Sequence, residues 1–388
     1  MSAAPLAAAA GGLVLPSTAR AAGSDFRVRM REHPLDSVSY TYPSAIAGLA
    51  GELPAAPLTE VLRDADRKAV ANPPWPAHGK PSRLKYSFGW APGSRDSVGP
   101  EWYPQGISTS YDAYRGPIPG TNRDREKRAV LVSWYAKDGN SWQGARITFV
   151  DVTAPSRPRY RHVLLVEPQK LLGRPYDFRP VKAHAGGIAW YGDRLYVADT
   201  EHGLRVFNIN QMFRVDTSGP AGRFCGYHEA DKKYYALGYQ YVLPQSRAYD
   251  NVGAQLTYSQ VAVDHTTPQP SLLVNEYAGG GSSRAIRWHM NPSTSSITSE
   301  EAVEERSFEV PKVQGVVSVN GAYYFSTNND NRPGTPGILY RCPRGSFVPK
   351  KRGKLSFGPE DLSYDGDRDG LWTLGEHPNK RAVYVVGR

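Results

Sequence analysis

One pattern recurs along this chain and limits its fold more than any other feature. A polar or glycine-containing start leads into a short apolar strand, a tight turn, a second β-rich strand ending in polar residues, and a third strand. The clearest copy starts at His184 and passes through Gly187 into residues 188–190. It turns at Gly192-Asp193, returns through 194–200, passes Glu201-His202-Gly203 and leaves along 204–209. A second copy starts at Val313, turns at Asn320-Gly321, returns through 322–327 and resumes at 338–341. Asn-Gly between two β runs is a strong hairpin signal, because both residues tolerate the positive φ of a type I′ turn. Weaker copies start at Pro104, Tyr258 and Pro359. Aligned on Gly106, Gly187, Gln260, Gly315 and Asp361, the five copies are spaced by 81, 73, 55 and 46 residues. The last two spacings match the roughly 40–50 residues of a four-stranded propeller blade; the first two require insertions.

The pattern predicts an all-β chain, a five-bladed β-propeller, with six blades left open if residues 22–100 or 210–250 hold another. Fourth, outer strands are expected at 161–166, 238–243 and 307–310. The last copy ends after three strands, so its missing strand is expected from residues 83–90, an N-terminal strand that closes the ring and leaves no open edge. The propeller domain is then 81–388. Residues 22–80 precede it as an extension with one helix, predicted over 58–71 from the spacing of Leu58, Val61, Leu62, Ala65 and Ala69 and stopped by Asn72-Pro73-Pro74. The 38 glycines and 32 prolines are spread along the chain and supply turns rather than a linker.

Residues 3–16 are small and apolar, and Ala19-Arg20-Ala21 has the small-x-small form of a cleavage site. Residues 1–21 therefore read as a truncated signal peptide without its basic start, and the mature protein is expected to be secreted, extracellular and monomeric. No later stretch approaches 18 apolar residues, so no membrane span is expected. The formal charge is +10, but its basic residues are scattered and the densest run, Lys350-Lys351-Arg352 with Lys354, is short. A nucleic-acid partner is not expected on that distribution, while attraction to anionic polymers fits it. Cys225 and Cys342 allow either one disulfide or two separate thiols.

In a propeller the start of strand one and the end of strand two open on the same face, around the channel mouth. The residues at those places are polar: Gln105, His184, Gln314, Glu360 and Asp361 at strand-one starts, and Glu201, His202, Asn275, Glu276, Asn328, Asn329, Asp330, Glu376 and His377, with Trp134, at strand-two ends. Each alone is explained as a solvated turn residue; their convergence predicts a site. Glu201, Glu276, Glu360 and Glu376 are candidate acids or bases for glycosidic cleavage, and His184, His202 and His377 are alternative bases for a lyase. Gln105, Trp134, Asn275, Gln314, Asn328, Asn329, Asp330 and Asp361 are candidate ligand contacts. Tyr135, Tyr277 and Trp190 supply faces on which sugars stack. The expected ligand is an extracellular glycan or small molecule. His162, His228, His265 and His289 share no such convergence and read as structural or surface residues.

The stretch 195–207, with its Asp199-Thr200-Glu201-His202-Gly203 turn, resembles the blades of NHL-type and gluconolactonase propellers. That resemblance implies the same fold and a metal-dependent, lactonase-like or esterase-like hydrolase as a second reading, with Ca²⁺ or Mg²⁺ held by Glu360, Asn275, Asn328 or Asp330. That family closes with six blades. A third reading is a non-catalytic binding propeller. The copies differ at their rim positions, which favours one asymmetric site over a lectin-like pocket repeated in each. No nucleophile elbow, P-loop, dinucleotide fingerprint, HExxH or paired CxxC occurs.

Overall fold

The computed structural model describes residues 20–21, 25–120, 126–137, 139–218, 224–328 and 334–388. The chain is all-β in its main body. Twenty strands form five antiparallel four-strand meanders, and each repeat falls on one of them. The first meander is β2 (Trp102–Thr109), β3 (Ala129–Ala136), β4 (Ala145–Asp151) and β5 (Arg159–Lys170). The second is β6 (Ile188–Tyr191), β7 (Arg194–Asp199), β8 (Gly203–Asn208) and β9 (Tyr241–Asn251). The third is β10 (Gln260–Asp264), β11 (Ser271–Asn275), β12 (Ser283–Asn291) and β13 (Glu304–Phe308). The fourth is β14 (Val313–Val319), β15 (Ala322–Thr327), β16 (Pro336–Cys342) and β17 (Lys350–Phe357). The fifth joins β18 (Ser363–Asp365), β19 (Gly370–Leu374) and β20 (Ala382–Gly387) to β1 (Leu84–Gly89). β1 thus supplies the edge that the C-terminal strands lack.

Inner strands such as Ala129–Val132 are buried on both faces because the sheets pack face against face. Trp134, Trp190, Trp288 and Trp372 are fully buried in these layers. Parallel pairing of β5 with β9, with Leu164 opposite Val242, joins the first two meanders into one sheet at their outer edge. The first strands of the five meanders meet in cyclic order, β2 beside β6, β6 beside β10, β10 beside β14, β14 beside β18, and β18 beside β2. The five residues on which the repeats align meet along this seam. A Cβ on Gly106 would lie 2.8 Å from Ile188 N, one on Gly187 2.6 Å from Gln260 Cα, and one on Gly315 2.6 Å from Leu362 N. Backbone therefore touches backbone there, and only glycine fits. Where glycine is absent, a side chain takes over. The Gln260 amide donates to Val316 O and accepts from Val316 N, both at 3.1 Å. The Asp361 carboxylate accepts from Ile107 N at 2.9 Å, Ile188 N at 3.2 Å and Leu362 N at 2.8 Å.

The early spacings are long because segments are inserted. Helix α4 (Ser110–Tyr114) follows β2, and a hairpin of Cys225–His228 with Lys233–Ala236 precedes β9. The expected helix over 58–71 is shorter, α2 (Leu58–Arg63). Arg67–Lys68 instead pairs with β5 and Val70–Ala71 with β1, so strand pairing overrides the helical spacing beyond Asp64. The extension also holds α1 (Tyr42–Glu52), whose signals were present: Thr41 and Ser44 form a reciprocal capping box and Pro43 lies in the first turn. A fourth, short helix, α3 (Arg95–Val98), links β1 to β2. The expected leader lies outside the described residues except Arg20 and Ala21, whose backbone pairs with Glu305 and Glu304. Cys225 and Cys342 are free thiols in separate apolar clusters. No helix among the described residues is long and apolar enough to cross a membrane.

Candidate active site at the mouth of the ring

Gln105, His184, Gln314, Asn328, Glu360, Glu376 and His377 line one cavity of about 430 Å³, together with Tyr135, Lys137 and Tyr277. Four of the five sheets contribute candidates named above, and Tyr277, just past β11, adds the third. Larger depressions of about 700 Å³ beside Lys68 and Arg157, and 860 Å³ beside Arg247, gather none of the candidate residues.

Gln105 organises the mouth. The β2–β3 pairing breaks register between Pro104 and Ile107, and the buried amide at position 105 joins two neighbouring sheets. Its Nε2 donates to Glu376 Oε2 at 3.2 Å and to Pro104 O at 3.1 Å. Its Oε1 is 3.0 Å from His184 Nε2. A carboxamide oxygen only accepts, so His184 carries its proton on Nε2 and keeps the Nδ1 lone pair. The result is a chain Glu376–Gln105–His184 across three sheets.

The electrostatics set the groups apart. Glu360 is buried, and burial followed by the neighbouring Glu376 and Asp361 pushes its carboxyl well above the usual range. Glu376 is also raised by burial, but Gln105, Lys137 and Arg381 favour its charge. Two carboxyls in one site separate into a protonated and an ionised member, and Glu360 has the stronger reason to stay protonated. His184 opens on solvent, yet the protein crowding its ring, then Lys137, hold it below the usual histidine range. Tyr135 lies against it with ring centroids 4.2 Å apart. His377 is lowered by burial, then by Lys380, Arg381 and Lys137, and its Nε2 has no hydrogen-bond partner. Asn328 Oδ1, buried at the same mouth, also has none.

Other candidates are placed elsewhere. Trp134 is fully buried, donates to Thr148 Oγ1 at 2.7 Å and packs 5.0 Å from Trp90; it is core, because its side chain points into the layer between sheets while Tyr135 takes the mouth. Asp361 is wholly buried in the axial seam and binds backbone rather than ligand. Asn275 is buried, accepting from Ser283 Oγ at 2.9 Å and donating to Glu276 O. Glu276 is ion-paired with Arg284 away from the cavity. Glu201 and His202 line an adjoining cavity of about 440 Å³ instead. Asn329 and Asp330 lie outside the described residues. Lys137 was missed by sequence reasoning. Its signal was position, since it follows β3 just where the other sheets place their rim residues.

The cation implied by the lactonase resemblance does not fit the residues described. Asn275 is committed to Ser283 and away from the cavity, and among the described residues no three His, Cys, Asp or Glu side chains are grouped to hold a metal. His162 is a core residue, bonded to Thr148 and Asp96.

No family model matches the chain, and neither does any curated protein. Similar solved structures include a single-site mutant of the Synechocystis apocarotenoid oxygenase, 10% identical with a TM-score of 0.29 over 87% of this chain and 65% of that one. A second mutant of it is 11% identical, with a TM-score of 0.32 over 71% and 60%. The parainfluenza virus 5 hemagglutinin-neuraminidase ectodomain is 7% identical, with a TM-score of 0.27 over 78% and 71%. The chain spans just under two thirds of the length of the oxygenases. Likenesses this slight carry nothing about its fold or chemistry, which rest on its own residues.

Proposed function

We propose that the protein is a secreted five-bladed β-propeller that binds an extracellular glycan at its central mouth and cleaves it by acid–base chemistry. The observation that carries this reading is the Glu376–Gln105–His184 chain sharing one cavity with a buried Glu360 whose carboxyl is pushed well above its usual range by burial. Five meanders meeting in cyclic order, with β1 closing the last, support the propeller. The mouth is rich in amide, hydroxyl and imidazole groups and carries Tyr135 and Tyr277, a mixture suited to sugar hydroxyls and sugar faces.

In this reading Glu360 gives its proton to the leaving glycosidic oxygen. Glu376, whose charge the Gln105 amide and Lys137 favour against its burial, acts with it as base or nucleophile. The fixed tautomer of His184 favours a second route, in which Nδ1 takes a proton from the sugar and elimination breaks the bond. Glu360→Gln keeps the side chain's shape but holds no transferable proton. Turnover of a responsive glycan, read as new reducing ends, should fall about 10²–10⁴-fold with ligand binding retained. Full activity in that variant would remove Glu360 from the mechanism. Ultraviolet absorbance of an unsaturated product would select elimination over hydrolysis.

A further inference from the structure

The mouth does not end at its own rim. The adjoining cavity, about 440 Å³, shares Tyr135, Lys137, His184 and Thr200 with it, so the two form one cleft running outward between the first and second sheets. A single sugar ring fills neither cavity alone, and a cleft of this combined size suits several linked rings.

Charge along the cleft is uneven. Lys137 stands on the shared wall, its ammonium 4.7 Å from the Tyr103 ring centroid, and Lys182 stands exposed in the second cavity. Neither makes an ion pair with another described residue. The acidic residues beside them answer that charge unevenly, and Glu376 in the mouth is the carboxyl whose charge Lys137 favours. Asp199 accepts from Arg205 Nε at 2.6 Å, and Glu201 is 83% exposed at the rim, 3.8 Å from His202. Glu360, buried in the mouth, has its carboxyl pushed well above the usual range by burial and then by Glu376 and Asp361. Lys182, which has no ion-pair partner among the described residues, and Lys137, whose carboxyl neighbour in the mouth is the buried Glu376, therefore flank a long polar cleft on a chain of net charge +10.

We infer that this double cleft binds an oligosaccharide whose sugar rings carry anionic groups, with Lys137 and Lys182 as their counter-charges. The inference rests on the glycan reading above and adds the substrate's charge and length. The anion is a carboxylate or a sulfate, since a lysine ammonium meets either as a point charge.

Calorimetric titration of the full chain tests it with four probes: tetragalacturonate, a chondroitin-sulfate tetrasaccharide, cellotetraose and galacturonic acid. One or both acidic tetrasaccharides should bind at least tenfold more tightly than cellotetraose and than the monosaccharide, and that advantage should shrink as salt rises. Lys137→Ala and Lys182→Ala should each weaken acidic binding by about five- to tenfold, as expected for one charge-assisted hydrogen bond, and leave the melting temperature unchanged. Which acidic probe binds distinguishes carboxylate from sulfate. Equal affinity for cellotetraose, or lysine variants that bind as well as the parent, would overturn this inference and leave the glycan reading standing. Failure of all four saccharides to bind would overturn both.

Discussion

Asp112 is the residue whose burial has the plainest measurable consequence. One of its carboxylate oxygens accepts from Ser108 Oγ and Ser363 Oγ, each at 2.6 Å, and from Thr109 N at 3.0 Å. Burial nevertheless pushes the carboxyl up to about 7. An unfolded aspartate titrates near 3.9, so between about pH 4 and pH 7 the folded chain holds a proton that the unfolded chain has released. Stability from this group is therefore complete below about pH 4 and is lost as pH rises towards 7. Asp112→Asn should flatten that slope, giving a melting temperature less sensitive to pH over the same window. His162 acts in the opposite sense. Bonded to Asp96 at 3.0 Å and to Thr148 at 2.7 Å, it is lowered to about 3, first by burial and then by Arg146. Its stabilisation is present above about pH 6.5 and is lost as pH falls towards 3. Melting curves of a His162→Gln variant should show a shallower acid limb than the parent.

At the scale of elements, the sequence held the inner parts of the sheets almost completely. The five residues chosen to align the repeats are the residues at which the five first strands touch. The reason is steric: backbone contact demands glycine at 106, 187 and 315, and hydrogen-bonding side chains at 260 and 361. Such a demand leaves a sequence signature. Gly187→Ala should cost about 1–3 kcal/mol, since its Cβ would sit 2.6 Å from the Gln260 backbone, whereas Gly279→Ala, in open space, should cost little. Denaturant unfolding of the two variants makes the comparison. The outer parts were less legible. β17 reads as a basic run because an outermost strand is wet on one side and lacks the apolar alternation of an inner strand. The site was legible as a set of positions but not as a set of directions. Trp134 and Tyr135 are neighbours, and a pleat that points successive side chains to opposite sides decides which becomes core. Asp361 and Glu360 divide in the same way between the seam and the cavity. Lys137 escaped because nothing in its local sequence distinguishes it from any loop lysine.

The whole molecule depends on contacts between its ends. β1 pairs with β20 from Gly89–Ala382 to Leu84–Val386, and Phe88 and Trp90 are buried against the first and fifth sheets. Val28–Arg31 lies along β9, and α1 packs on β5 and β9. A chain beginning at residue 91 should therefore lose the cooperative thermal transition of the parent rather than melt a few degrees earlier, which calorimetry would register as a broad trace of reduced enthalpy. The axial seam adds a different property. Asp361 and its glycine neighbours fill the axis where the five first strands meet, so the mouth is closed at its inner end. Nothing can be threaded through it. Any molecule held beside Glu360 has to leave on the side from which it came, so an occupant and its replacement share that side of the molecule.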